Sequence, residues 1–136
     1  MNKANVNAST HTGTTALYIA GQNGHVDVVK TLLANNADVK ASMHTDGSTA
    51  LYIAAQKGHV DVVRTLLANN ADINASMHTD GATVLYIAAQ NGHVDVVKTL
   101  LEYKADVNAR LKGLFGEKLI DAARRNNHSE IVKLLK

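Results

Sequence analysis

The chain has 136 residues, of which 46% are hydrophobic but only 4% aromatic, so a core must be built mainly from Ala, Val, Leu and Ile. Its formal net charge is +2, with basic and acidic residues interspersed along the chain, which argues against a nucleic-acid-binding surface. It contains neither cysteine nor an apolar run of about 18 residues, which excludes disulfides, Cys-based zinc sites and a membrane-spanning helix.

The first residues, Met1–Asn7, contain no apolar run like that of a secretory signal peptide. We therefore expect a cytoplasmic protein whose partners are neither nucleic acids nor membranes.

The dominant feature after this start is a repeat. Leu-Tyr-Ile-Ala begins at Leu17, Leu51 and Leu85, which are 34 residues apart, and Gly-His-Val-Asp-Val-Val follows each time. Residues 42–75 and 76–109 differ at only 8 of 34 positions. Repetition at this period predicts a solenoid, in which each unit packs on its neighbours. We place the units at approximately 11–44, 45–78, 79–112 and 113–136, with 1–10 as the tail of a preceding unit.

Each unit carries signals for two short helices, and the second unit illustrates them in order. Thr49 is suited to an N-cap, because its hydroxyl accepts from a free amide of the first turn. A first helix is predicted from Ala50 to about Lys57, ended by Gly58 in a left-handed conformation. A second helix is predicted from about Val60 to Ala68, where apolar residues recur at helical spacing. Asn70 then occupies a predicted left-handed stop, which asparagine tolerates better than most residues.

The stop recurs in the other units with one change. Asn36 occupies it in the first unit, but Lys104 does so in the third. A left-handed lysine costs about 1 kcal/mol, so we expect strain at Lys104. On the second helix, Asp61 and Arg64 lie three residues apart and are predicted to pair with each other on an exposed face.

The two ends of the array differ. In the last unit, Arg124, Ser129 and Lys136 replace small or apolar residues, which predicts the polar outer face that terminal repeats need. The finger before it, Arg110–Phe115, carries apolar residues and is expected to pack inward. The first unit has no such replacements, so a weak two-fold dimer through the uncapped N-terminal end is expected. The residues predicted to make this contact are Ala16, Leu17, Val26 and Leu33.

Several motifs of the second unit resemble an ankyrin repeat. They are Asp46–Ala55, Gly58-His59-Val60, Leu66-Leu67 and Ala71–Ala75, and the resemblance covers essentially the whole chain from Lys3 to Lys136. Ala or Val and Tyr stand where the family usually has Pro and His, and the unit has 34 residues instead of the usual 33. The resemblance implies an all-α, ankyrin-like solenoid of stacked helix-turn-helix units with β-hairpin-like finger loops.

The resemblance also implies a function, namely binding of a partner protein through a concave surface made of the first helices and the finger tips. The side chains expected there are mostly neutral and hydrogen-bonding, which suits a wet, polar interface. The alternative is a designed or consensus-derived scaffold with no natural partner. The candidate partner-binding residues are Thr12, Gln22, Asn23, Thr45, Asp46, Ser48, Gln56, Lys57, Thr79, Asp80, Gln90, Asn91 and Arg125.

The recurring histidines and tyrosines are residue types that can bind metals or ligands, but here they are expected to have structural roles. His25, His59 and His93 recur once per unit, and equivalent positions in stacked units lie about 10 Å apart, too far to share a zinc ion. Tyr18, Tyr52 and Tyr86 are expected to pack at the base of the fingers. No catalytic or phosphate-binding motif occurs, so we predict neither an enzyme nor a bound cofactor or metal.

Overall fold

The computed structural model describes residues 5–108 and 118–136, and within them the chain forms eight short helices in consecutive pairs. No strand is present in these residues, so the predicted all-α class is confirmed. None of the helices in the described ranges is long and apolar enough to cross a membrane. The helices are α1 (Ala16–Asn23), α2 (Val26–Ala34), α3 (Ala50–Lys57), α4 (Val60–Ala68), α5 (Val84–Gln90), α6 (Val94–Glu102), α7 (Leu119–Arg125) and α8 (Ser129–Leu135).

The starts of the first helices follow from the predicted caps. The hydroxyls of Thr15, Thr49 and Thr83 each accept a hydrogen bond from the backbone N–H three residues later, at 3.1, 3.1 and 3.2 Å. At the other end, Gly24 and Gly58 end α1 and α3 with φ of 72° and 79°. A residue with a Cβ is strained in this left-handed region, which is why glycine ends these helices.

The eight helices stack in two layers. Helices α1, α3, α5 and α7 contact one another in chain order and form the first-helix layer, while α2, α4, α6 and α8 form the second-helix layer. The core lies between the layers and between successive units, with Val63, Leu66, Val97 and Leu100 fully buried. Helices of this length are not stable alone in water, so their stability comes from this burial.

Fingers connect the helix pairs and resemble hairpins, as expected, but each contains a single antiparallel bridge in place of extended strands. The bridges join Ser9 to Thr15, Ser42 to Thr49, and Ser76 to Thr83. Neighbouring fingers are also joined, because the amides of His44 and His78 donate to the carbonyl of Thr12 and of Asp46, both at 2.8 Å.

The predicted left-handed stops are confirmed. Asn36 and Asn70 have φ of 70°, and Lys104 has φ of 67°. Asn127 also has a positive φ, 60°, at the position that Gly58 holds after α3. Lysine has no side-chain feature that favours this region, so Lys104 is a point of backbone strain.

One predicted ion pair is wrong. The guanidinium of Arg64 lies 3.8 Å from the carboxylate of Glu102 in the next unit and does not pair with Asp61. Both partners are at least half-exposed, so the contact contributes little to stability, but it links α4 to α6.

The N-terminal end of the array, which we call the front end, exposes apolar side chains, but not all of those that were predicted. Leu17 is only 2% exposed, because it faces the core as Leu51 does. Ile19 and Val28 are instead 43% and 49% exposed, and they are the large apolar side chains that the first unit leaves uncovered.

Candidate functional site

The C-terminal ends of the first-helix layer carry one row of candidate residues. Asn23, Lys57, Asn91 and Arg125 are exposed at the ends of α1, α3, α5 and α7. Because these helices contact one another in order, the four side chains follow one another across four units. The residues directly before the first three of them, Gln22, Gln56 and Gln90, are half-buried.

A ladder of histidines lies beneath this row and explains why the glutamines are partly covered. The Nε2 atoms of His59, His93 and His128 lie 3.1, 2.9 and 2.9 Å from the carbonyl oxygens of Gln22, Gln56 and Gln90. Each histidine therefore bonds one unit to the unit before it.

The ladder also requires the glycines that end the helices. A Cβ added to Gly24, Gly58 or Gly92 would come within 2.7, 2.7 or 2.6 Å of the ring of the next unit's histidine. Sequence reasoning assigned the histidines a structural role but missed this contact. The signal for it was present, since Gly-His recurs once per unit.

Asn91 differs from Lys57, the equivalent residue of the second unit, because its side chain takes part in stacking. Its Nδ2 donates to the carbonyl oxygen of Gln56 at 3.2 Å. Asn91, a candidate partner-binding residue, therefore also has a role in stacking. Lys57 forms no side-chain hydrogen bond or ion pair with another described residue.

The finger tips carry a second row. Thr45 and Thr79 are exposed, and their hydroxyls form no hydrogen bond with another described residue. Asp46 and Asp80 have structural roles, because each carboxylate accepts from the backbone N–H two residues later at 2.9 Å. This bond holds the finger turn. The hydroxyl of Thr12 is half-buried among the hydroxyls of neighbouring threonines, at 2.9 and 3.3 Å.

Ser48 does not belong to the surface. It is only 3% exposed, and its hydroxyl lies 3.1 Å from the hydroxyl of Tyr18. Its placement among the partner-binding residues is corrected accordingly, since a partner cannot reach a side chain so deeply covered.

Two of the three tyrosines predicted to pack at the base of the fingers are buried, whereas Tyr18 is half-buried. Tyr52 and Tyr86 are 7% and 3% exposed. Burial, together with the negative charges of Asp80 and Asp46, raises the pKa of Tyr52 to about 12. Tyr52 is therefore a neutral hydrogen-bonding group at physiological pH.

Other kinds of site were sought in the same residues. Across 5–108 and 118–136, no group of three or more His, Asp or Glu side chains is arranged to hold a metal ion. The finger Arg110–Phe115, predicted to pack inward, lies outside the described residues.

Comparison with known families gives a match over the full length of the chain. A family model described as "Ankyrin repeats (3 copies)" matches residues 1–77, 35–111 and 74–136. A comparison with curated proteins gave no match.

Proposed function

Because this chain belongs to the ankyrin repeat family, whose repeats generally act as protein–protein interaction modules, we propose that it binds a partner protein through its first-helix layer and finger tips. The recognition surface of this proposal consists of the two rows described above. Its central members are Thr45, Lys57 and Thr79, with Asn23 and Asn91 beside them.

One observation carries the proposal. Thr45, Lys57 and Thr79 are exposed, and their side chains bond to no other described residue. They lie on units whose cores and fingers are otherwise tightly connected, so the fold does not need their polar groups. The backbone that carries them is held by the fold, so binding costs the rotamer freedom of these side chains but no ordering of the chain.

The opposite surface is less suited to the role. Its helices present Asp61, Asp95 and Lys98 in alternation, so charges of both signs are mixed over a short distance. Exposed charges of this kind are hydrated and screened, and they contribute little to a specific interface.

A consensus-derived scaffold with no natural partner is the alternative. The observation that favours it is the near identity of residues 42–75 and 76–109, which makes the surfaces of the two middle units alike. Such a scaffold would capture no protein in a manner that depends on the proposed surface.

The test compares two variants of equal charge change. T45E/K57E/T79E alters the proposed surface, whereas K30E/K98E alters exposed positions of the second-helix layer by the same net charge. Partners that the wild type captures from a host lysate are identified. The affinity of each partner for the wild type and for the two variants is then measured. We expect the first variant to weaken binding by about 1–2 kcal/mol per important contact and the second to leave it unchanged. If the partner bound the wild type and both variants equally, or lost affinity only for K30E/K98E, the proposed recognition surface would be wrong.

We also propose that two copies associate weakly through their front ends. Ile19 and Val28 are 43% and 49% exposed, whereas their equivalents in the second unit, Ile53 and Val62, are 6% and 1% exposed. Exposed apolar side chains of this extent favour association. The opposite end presents exposed polar and charged side chains, so a two-fold contact between front ends is favoured over head-to-tail growth.

A further inference from the structure

The outward face of the last unit carries a groove of about 380 Å³, and we call it the end groove. It lies beside α7 and α8, and its lining includes neither the row of residues at the ends of the first-helix layer nor the finger tips. Asn127 is exposed in its wall at the position where Gly58 and Gly92 receive the histidine ring of a following unit. The full lining is Arg124, Asn127, His128, Ser129, Val132, Lys133 and Lys136.

The charge of the end groove is positive. Arg124, Lys133 and Lys136 are exposed, and among the described residues only Arg124 of these three forms an ion pair, with the carboxylate of Asp121 at 3.7 Å. Lys133 and Lys136 form no ion pair with any described residue. Their charges therefore remain available to an incoming group.

The surrounding charge limits what such a group can be. Residues 118–136 contain five Lys or Arg and two Asp or Glu, whereas residues 5–108 contain six Lys or Arg and nine Asp or Glu. Of these two ranges, only 118–136 thus has a positive excess. A long polyanion such as a nucleic acid would leave the groove and cross units of opposite character, so a short anionic group is favoured.

The groove also offers an apolar contact. Val132 is half-buried in its lining, which also contains the exposed cations Lys133, on α8, and Lys136, directly after α8. A ligand that combines carboxylates with an aliphatic side chain satisfies both features.

We propose that the end groove binds a short acidic peptide segment of a partner protein, with carboxylates against Lys133 and Lys136 and an aliphatic side chain against Val132. This contact is separate from the surface under "Proposed function" and does not depend on it. The two surfaces share no residue.

The experiment uses a synthetic fluorescent peptide of Asp and Glu residues with a central Leu, and its binding is followed by anisotropy. The variant K133E/K136E reverses the two unpaired cations. The control K30E/K98E makes the same charge change, and Lys30 and Lys98 hold the helix position in their units that Lys133 holds in the last. Thermal melts of both variants establish that folding is retained, since all four side chains are exposed.

We expect the wild type and K30E/K98E to bind the peptide with similar affinity and K133E/K136E to bind it at least about tenfold more weakly. Binding should weaken from low to physiological salt, as expected for exposed charges. A matched peptide of Asn and Gln should bind poorly.

Four results would overturn the proposal: no binding by the wild type, equal loss in both variants, equal binding of the neutral peptide, or tighter binding of a single-stranded oligonucleotide at the same residues. Because T45E/K57E/T79E leaves the end groove intact, it should bind the acidic peptide normally. Failure of this proposal is therefore distinguishable from failure of the proposed function.

Discussion

Replacing Lys104 by glycine should stabilise the protein, because Lys104 has a φ of 67° without any compensating contact. Its side chain is exposed and forms no ion pair with another described residue. The equivalent residues of the first two units are Asn36 and Asn70, which tolerate this conformation better. Lys104→Gly therefore removes strain and loses no contact.

The expected change in the free energy of unfolding is the difference between two opposing contributions. The left-handed region costs an L residue about 1–2 kcal/mol. Glycine avoids this cost but loses about 0.5–1 kcal/mol more backbone entropy on folding. The expected net gain in the free energy of unfolding is about 0.5–1 kcal/mol, which corresponds to a rise in Tm of about 2–4 °C.

Urea denaturation of the wild type and of three variants decides the question. Lys104→Ala is the control, because it removes the charge and the long side chain but keeps the Cβ that causes the strain. We expect no gain from alanine, a gain from glycine and an intermediate gain from Lys104→Asn. If glycine were no more stable than the wild type, or if alanine gained as much, the attribution to backbone strain would be wrong.

Three further predictions concern contacts between units and between molecules. His93→Ala should lower the free energy of unfolding by about 0.5–1.5 kcal/mol, because the Gln56 carbonyl loses the His93 ring at 2.9 Å and keeps only its bond from Asn91. His25→Ala is the control, since His25 is exposed and its ring bonds to no described residue; equal losses would refute the role of the ladder. Sedimentation at increasing concentration should show a weak dimer that Val28→Lys abolishes, and a strictly monomeric wild type would contradict the front-end contact. The pKa of Tyr52 is raised from 10 to about 12 in the folded protein, so its neutral side chain makes a contribution to stability that is fully present below pH 10. This contribution is lost as the pH rises through about 12. Between these pH values, urea denaturation should show that the free energy of unfolding falls more steeply for the wild type than for Tyr52→Phe. An equal fall in both proteins would contradict this role of Tyr52.

Features that depend on neighbours along the chain were predictable from the sequence. The bounds of α3 and α4, the threonine caps and the left-handed Lys104 agree with the structure. Each depends on the conformation of a few consecutive residues and on hydrogen bonds within one turn. The match to the ankyrin repeat family likewise rests on ordered motifs that the sequence displays directly.

The candidate surface was predicted less well, because the sequence does not show which polar groups are used for stacking. Ser48 is a small polar residue in a turn, yet it is buried against the hydroxyl of Tyr18 in the first unit. Asp46 holds its own turn through a bond from the amide two residues later, and Asn91 bonds to the preceding unit. Composition alone does not distinguish such groups from free ones.

The sequence by itself thus determined the repeat, the helices and their ends, since these follow from local conformational preferences and from hydrophobic spacing. Only the tertiary structure decided which residues meet across units. Arg64 pairs with Glu102, 38 positions away, and not with its helix neighbour Asp61. Leu17 is buried while Ile19 and Val28 are exposed, because burial depends on which face of each helix the adjacent unit covers. That relation is set by the packing of one unit on the next, which no local pattern records.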